Sequence, residues 1–164
     1  MCNYEVADFM EANADSIQRE LILDAPPERV WAALTQADAL SAWFGTRASV
    51  DLRPGGQIAF TWDDPATGDH FTNGGVIEVV EAPRRFAFRW RPYAPPEQAE
   101  RVAGLTTRVE FTLEPKGDGT RLRLVESGFS TLPADLWKTA RDGNETGWTR
   151  ELGDLRDYID AART

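Results

Sequence analysis

The stretch APPERVWAAL, residues 25–34, marks the point where a strand ends and a helix begins. Apolar residues alternate through residues 16–24 before it, as they do in a strand with one buried face. The two prolines end this strand because proline cannot donate a ladder hydrogen bond, and proline also suits the first turn of a helix. Apolar residues at helical spacing then predict one short helix after the prolines and a second that ends before Gly45.

Beyond Gly45 the apolar period changes to two and stays at two as far as Glu126. Segments rich in glycine, proline and aspartate separate the alternating runs and divide this region into about six strands. The adjacent glycines Gly74 and Gly75 predict a bulge or a sharp bend in one of them. Several arginines occupy the outer parity of the later strands, which we interpret as a solvated face with cross-strand pairs: Arg85, Arg89, Arg91, Arg108, Arg121 and Arg123.

A long amphipathic helix is predicted from Glu145 to Ala162. Its apolar stripe recurs at helical spacing, and the charged residues that include Glu151 fall away from that stripe. A run of strands with segregated helices indicates an α+β fold with an antiparallel sheet of about seven strands, curled around this helix. We expect one domain over residues 16–162, preceded by an acidic N-terminal arm, residues 1–15, that is frayed.

Composition excludes several classes of function. The 164 residues carry 18 Lys and Arg against 27 Asp and Glu, and a net charge of −9 argues against a nucleic-acid binder, which needs a basic face. There is no apolar run long enough for membrane insertion, and one cysteine rules out an internal disulfide, which fits a cytoplasmic protein. Neither a metal site nor a cofactor is predicted, because one histidine cannot build a multi-histidine site and no phosphate loop or dinucleotide motif occurs.

In this order the motifs resemble the START-like, or SRPBCC, superfamily, whose fold is called the helix grip. Within it the chain resembles the family of the activator of heat-shock-protein-ninety ATPase homologue (C-terminal domain). The segments that carry the resemblance are residues 25–34, 40–44, 51–56 and 75–79, and Gly147-Trp148 with Leu152, Leu155 and Ile159. The resemblance implies a seven-stranded curved sheet gripping a long C-terminal helix, with a cavity between them.

What the resemblance implies about function is less specific. Such proteins include lipid and hormone binders, polyketide cyclases and aromatases, so a small hydrophobic ligand is the expected partner. A chaperone or a second copy of the chain is an alternative partner. Many relatives have a histidine shortly before the Gly-Trp pair, whereas this chain has Asn144-Glu145-Thr146. The extra N-terminal domain of the eukaryotic co-chaperone is not found in this sequence, and this lowers our expectation of chaperone activation.

Glu126 and His70 are the candidate catalytic residues. Strand parity places Glu126 on the inward face, where desolvation raises the pKa of a carboxyl group unless it is paired. The alternatives are that the strand has ended by Glu126 or that an arginine pairs with it. His70 follows Asp69 at a predicted hairpin turn, where a solvent-exposed imidazole is the expected state. Asn73 is expected to face the same cavity as Glu126.

The inward parity of the strands and the stripe of the last helix also predict the walls of a ligand site. A tightly packed core would need the same aromatic residues, so two interpretations remain open. Our leading hypothesis is a binding protein without catalysis. A cyclase- or hydrolase-like enzyme using Glu126, and an interaction module that stimulates a chaperone ATPase, are the alternatives. The predicted ligand-binding residues are Phe60, Trp62, Asn73, Phe88, Trp90, Phe111, Leu124, Glu126, Trp148 and Leu152.

Overall fold

The structure is a computed structural model that describes residues 15–162. All of the predicted N-terminal arm except its last residue lies outside the described residues. Seven strands and three α-helices follow in the predicted order: β1 Ser16–Leu23, α1 Pro27–Thr35, α2 Ala37–Trp43, β2 Arg47–Val50, β3 Gln57–Asp63, β4 His70–Glu81, β5 Arg85–Trp90, β6 Thr107–Lys116, β7 Gly119–Ser127 and α3 Trp137–Ala161. Short 3₁₀ helices span Pro96–Val102 and Phe129–Thr131.

The strands form one antiparallel sheet in the order β1-β7-β6-β5-β4-β3-β2. The long connection through α1 and α2 carries the chain from β1 at one edge to β2 at the other. One face of the curved sheet packs on α3, and the predicted α+β helix-grip fold is confirmed. Alternation along β6 illustrates the cause, since Thr107, Val109, Phe111 and Leu113 are buried while the residues between them are half-buried.

The segment 25–34 forms the bend that its prolines predict. Pro26 is extended and is the N-cap of α1, so Pro27 takes the first helical position, where its missing N–H costs no hydrogen bond. The helix buries Val30, Trp31 and Leu34 in the core. The Trp43 indole N–H donates to the Ala33 carbonyl over 2.8 Å and joins α2 to α1.

The strand β4 departs from the predicted position of its bulge. The register with β5 shifts between Ile77 and Val79, three residues after the glycine pair. Gly75 serves a different purpose, because a Cβ atom there would collide with the Arg89 carbonyl oxygen on β5. The glycine therefore allows two backbones to approach closely.

Helix α3 begins at Trp137, eight residues before the predicted start at Glu145. The early start was missed because Gly143 and Gly147 are weak helix formers in the middle of this segment. The prediction that Glu151 lies away from the apolar stripe was also wrong, since Glu151 is 6% exposed. Glu151 lies three residues after Trp148, on the flank of the stripe that faces β3 and β4. Within residues 15–162, no helix combines the length and hydropathy needed to cross a membrane.

Candidate functional site

A cavity of about 710 Å³ lies between α3 and one end of the sheet. It is bounded there by the end of β3, the start of β4, the end of β5 and the loop that follows β5. Its walls are mainly aromatic and apolar. They are formed by Phe44, Trp62, Phe71, Trp90, Pro92, Tyr93, Ala94, Pro96, Ala99, Val102, Gly143, Thr146, Gly147 and Trp148. The five remaining lining residues have charged or amide side chains: Asn73, Arg91, Asn144, Arg150 and Glu151. Phe71 and Tyr93 are about half exposed, so they stand where the cavity opens to solvent.

The aromatic wall is continuous. The Trp148 and Trp90 rings stack with centroids 5.7 Å apart, and Phe44 stacks on Trp148 at 5.6 Å. Trp62 meets Phe44 edge-on at 5.4 Å and Phe71 at 5.8 Å. Rings that contact each other in this way restrict each other's rotamers, so the wall keeps its shape without a ligand.

Glu126 lies behind this wall and is fully buried, as strand parity predicts. Its Oε2 accepts hydrogen bonds from the Trp90 indole N–H at 2.9 Å, the Thr107 hydroxyl at 2.6 Å and the Asn144 side-chain amide at 2.8 Å. Its Oε1 accepts one from the Trp148 indole N–H at 2.8 Å. The four donors come from β5, β6 and α3, so the carboxyl group ties the sheet to the helix.

The electrostatics of Glu126 are set by burial among neutral groups. Burial raises the pKa of the Glu126 carboxyl group, and the four hydrogen bonds from Thr107, Trp90, Trp148 and Asn144 act in the opposite direction. None of the ion pairs among the described residues involves Glu126, so the alternative of an arginine partner does not hold there. The carboxyl group is not among the residues that line the cavity.

Several polar atoms along the cavity lack partners. The Asn73 amide donates to the Arg91 main-chain carbonyl at 3.0 Å, but its Oδ1 is buried without a hydrogen bond among the described residues. Oε1 of Glu151 accepts a hydrogen bond from Arg150 at 3.3 Å. Its Oε2 is buried and has no hydrogen bond among the described residues. Burial raises the pKa of Glu151, and Arg150 partly offsets the rise; the Trp62 indole N–H acts in the same direction as Arg150 although it forms no hydrogen bond among the described residues.

The structure separates the predicted ligand-binding residues into two groups. Trp62, Asn73, Trp90 and Trp148 line the cavity. The other six are buried and do not line the cavity: Phe60, Phe88, Phe111, Leu124, Glu126 and Leu152. Around the core phenylalanines and Trp148 there is a void of only about 10 Å³, too small for an organic ligand. Ligand binding by these residues remains a prediction.

His70 is exposed at the start of β4 and is not a lining residue of the cavity. It lies opposite Asp63 where β3 ends and β4 begins, next to the lining residues Trp62 and Phe71. His70 is not one of the four hydrogen-bond partners of Glu126, and its catalytic role stays a prediction. Residues 15–162 contain no group of three or more His, Cys, Asp or Glu side chains arranged to hold a metal ion.

Most of the residues that line the cavity were missed from the sequence, and four of them show why. Asn144 was noted only for replacing a histidine, and its position on α3 became visible once the helix start was known. Arg91 was assigned to the solvated face, but β5 ends at Trp90 and the chain then turns toward the cavity. Tyr93 lies in the following loop, and Glu151 was placed on the wrong side of the helix. Loop geometry leaves no period in a sequence. Of these four residues, only Glu151 lay inside a predicted helix, where helical spacing could have placed it.

Comparison with known families decides the classification. The sequence model of the family "Activator of Hsp90 ATPase homolog 1-like protein", AHSA1, matches residues 24–160. The chain belongs to the AHSA1 family. This membership confirms the predicted START-like resemblance, and ligand binding is the general function that the fold family suggests. A search of curated proteins found no match.

Solved structures share the AHSA1 fold over most of this chain. MLL2253 from Mesorhizobium loti is 24% identical, with 89% of this chain and 97% of that chain covered and a TM-score of 0.70. CalU16 from Micromonospora echinospora is 28% identical, with 88% and 75% covered and a TM-score of 0.64. An AHSA1-like protein from Aeromonas hydrophila is 20% identical, with 90% and 93% covered and a TM-score of 0.69.

Proposed function

We propose that this AHSA1-family protein binds one small hydrophobic or aromatic molecule, lipid- or polyketide-like, in the cavity and does no chemistry on it. The observation that carries the proposal is the cavity of about 710 Å³ with its aromatic walls. Small-molecule sites usually have volumes of roughly 300–1,000 Å³ and apolar linings with a few polar groups. We also expect the protein to act in the cytoplasm.

The wall is organised before a ligand arrives. Two of the three tryptophans that line the cavity, Trp90 and Trp148, donate their indole N–H groups to Glu126 at 2.9 and 2.8 Å. These two lining rings are consequently held in place without a search among rotamers. A binding site whose side chains are already ordered loses less conformational entropy on binding, and this supports affinity for a flat or aromatic ligand.

The arrangement of Glu126 supports binding rather than catalysis. All four of its hydrogen bonds are to donors that also build the wall or the strand behind it. To reach a substrate, the carboxyl group would have to break bonds to Trp90, Trp148 or Asn144. A general acid must come within about 3 Å of the atom that it protonates. The cyclase- or hydrolase-like alternative would therefore require the wall to open.

Two glycines of α3 offer a matched test. Gly147 lines the cavity, and a Cβ atom there would meet nothing within 4 Å, so Gly147→Leu directs a side chain into the empty space. Gly153 also has open space at its Cβ but does not line the cavity. We expect both variants to be stabilised by about 0.5–1 kcal/mol, because each removes a glycine from a helix.

Ligand binding should distinguish the two variants. Fatty acids, aromatic polyketides and the neutral probe pyrenebutanol are screened by thermal shift, and stoichiometry is measured by native mass spectrometry. We expect a 1:1 complex with wild type and Gly153→Leu, and at least tenfold weaker binding by Gly147→Leu. Equal binding by all three proteins, or no binding to wild type, would refute the proposal.

A further inference from the structure

The charges in the cavity lining do not balance. Its three charged side chains are Arg91, Arg150 and Glu151. Arg150 donates to Glu151 at 3.3 Å, so these two compensate each other. Arg91 is left as the uncompensated charge of the lining.

The guanidinium of Arg91 is held in place without a carboxylate partner. It lies over the Phe71 ring, with Cζ 5.6 Å from the ring centroid, and Nη2 donates to the Thr72 carbonyl over 3.5 Å. No carboxylate of residues 15–162 lies within ion-pair distance of it. Its main-chain carbonyl accepts the 3.0 Å bond from Asn73, which fixes the backbone at the mouth of the cavity.

This state is unusual for the arginines of the neighbouring strands. Arg85 pairs with Glu110 at 2.5 Å, and Arg89 pairs with Glu78 at 3.2 Å. Arg108 pairs with Glu78 at 2.9 Å and with Glu110 at 2.6 Å. A chain with nine more acidic than basic side chains has carboxylates to spare, so an arginine without one points to a partner from outside.

We propose that the ligand carries one carboxylate, which Arg91 binds while the apolar body of the ligand packs against the tryptophans. This inference rests on the proposed function and names the ligand class as an apolar or aromatic carboxylic acid. The contact with Phe71 and the bond from Nη2 to Thr72 leave other N–H groups of the guanidinium able to donate. Arginine is suited to the task because its planar fork of donors matches a carboxylate in a two-bond arrangement.

The acids near the cavity do not oppose such a ligand. Glu151 is paired with Arg150, and Glu126 is surrounded by four donors behind the wall. Arg150 compensates Glu151, whereas Glu126 has only neutral donors around it but does not line the cavity and is not within ion-pair distance of Arg91. The aromatic wall and the single cation together describe an amphipathic pocket.

A matched pair of fluorescent probes tests the inference. Pyrenebutyric acid and pyrenebutanol share the same apolar body and differ in one carboxylate. Charge-assisted hydrogen bonds are worth more than neutral ones, so we expect wild type to bind the acid about tenfold more tightly than the alcohol. Arg91→Gln should weaken binding of the acid by about tenfold and leave the alcohol unchanged. Arg89→Gln, on the outer face of β5 two residues before Arg91, is the control and should change neither.

The outcomes separate this inference from the function on which it rests. If wild type binds both probes equally, or if Arg91→Gln weakens both to the same extent, the carboxylate is not recognised and the inference is overturned while the cavity remains a binding site. If neither probe binds wild type, the proposed function fails and the inference fails with it. Selective loss of the acid in Arg91→Gln supports both.

Discussion

At the scale of single residues, Glu126 organises the site although it does not line the cavity. A buried carboxyl group is costly to desolvate, and its acceptance of four hydrogen bonds is what makes the position tolerable. In return it fixes Trp90 and Trp148, two of the rings that face the cavity. We therefore interpret Glu126 as a positioning residue.

Removing that acceptor gives the first prediction. Glu126→Leu leaves two indole N–H groups, a hydroxyl and an amide without their partner, and each orphaned buried donor costs about 1–3 kcal/mol. We expect the free energy of unfolding to fall by about 4 kcal/mol or more. Glu126→Gln keeps one acceptor oxygen and should lose less. Urea denaturation measures both, and a Leu variant as stable as wild type would show that the donors are not desolvated.

The second prediction concerns Glu151 and pH. Burial raises its pKa in the folded state, so the folded protein holds the proton more tightly than the unfolded chain. The contribution of Glu151 to the stability of the fold is therefore complete below its pKa in the unfolded chain. It is lost as the pH rises through its higher pKa in the folded protein. The neighbouring charges are Arg150, which opposes the rise, and Asp154, which adds to it.

Urea unfolding of wild type and Glu151→Gln across a pH series checks this sign. The stability of wild type minus that of the variant should fall as the pH increases from about 4 to about 8. A difference that is flat or increases would contradict the account.

The pH dependence expected for Asp63 has the opposite sign. Hydrogen bonds from Arg47 and Thr46 lower its pKa to about 2, so its contribution to stability is lost only when the pH falls toward that value.

At the scale of elements, the strands were predictable and the start of α3 was not. Alternation depends on burial of one face, and this leaves a period of two that survives in the sequence, as in β6 and β7. The first turns of α3 contain Gly143 and few apolar residues, so no helical period is visible there. Packing against the sheet supplies the stability that local propensity does not.

Gly143 leads to a prediction about this element. A Cβ atom at position 143 would lie 2.5 Å from the Tyr93 ring, whereas one at Gly153 meets nothing. Gly153→Ala should therefore raise the free energy of unfolding by about 0.5–1 kcal/mol, and Gly143→Ala should not, because Tyr93 must move. In a Tyr93→Ala background, Gly143→Ala should regain the increase. Equal increases from both glycines in the wild-type background would contradict this contact.

At the scale of the whole molecule, the sheet and α3 form a container, and arginines on the outer face of its sheet pair with glutamates of the same face. The arginines of β5 and β6 pair with Glu78 and Glu110 across the sheet. These arginines therefore already have carboxylate partners within the chain. A chaperone or a second copy of the chain as partner, and stimulation of a chaperone ATPase, therefore stay predictions without a contact to support them.

The sheet and helix that enclose the cavity were predictable from the sequence, but most of the polar side chains of the site were not. The order of elements and the inward side of each strand follow from periodicity, and Glu126 was placed inward on that basis. Its partners come from separate elements, and only tertiary packing brings them together. Arg91 and Tyr93 belong to the chain after β5, where no period indicates which way a side chain points.

The most direct measurement of the central claim is the shift of the six indole N–H resonances by nuclear magnetic resonance when pyrenebutanol is added. Three of the six tryptophans, Trp62, Trp90 and Trp148, line the cavity, and the other three, Trp31, Trp43 and Trp137, do not. We predict that the first three resonances shift and saturate together at one equivalent of probe, while the other three stay in place. Shifts confined to the second group, or no saturable shift at all, would contradict binding in this cavity.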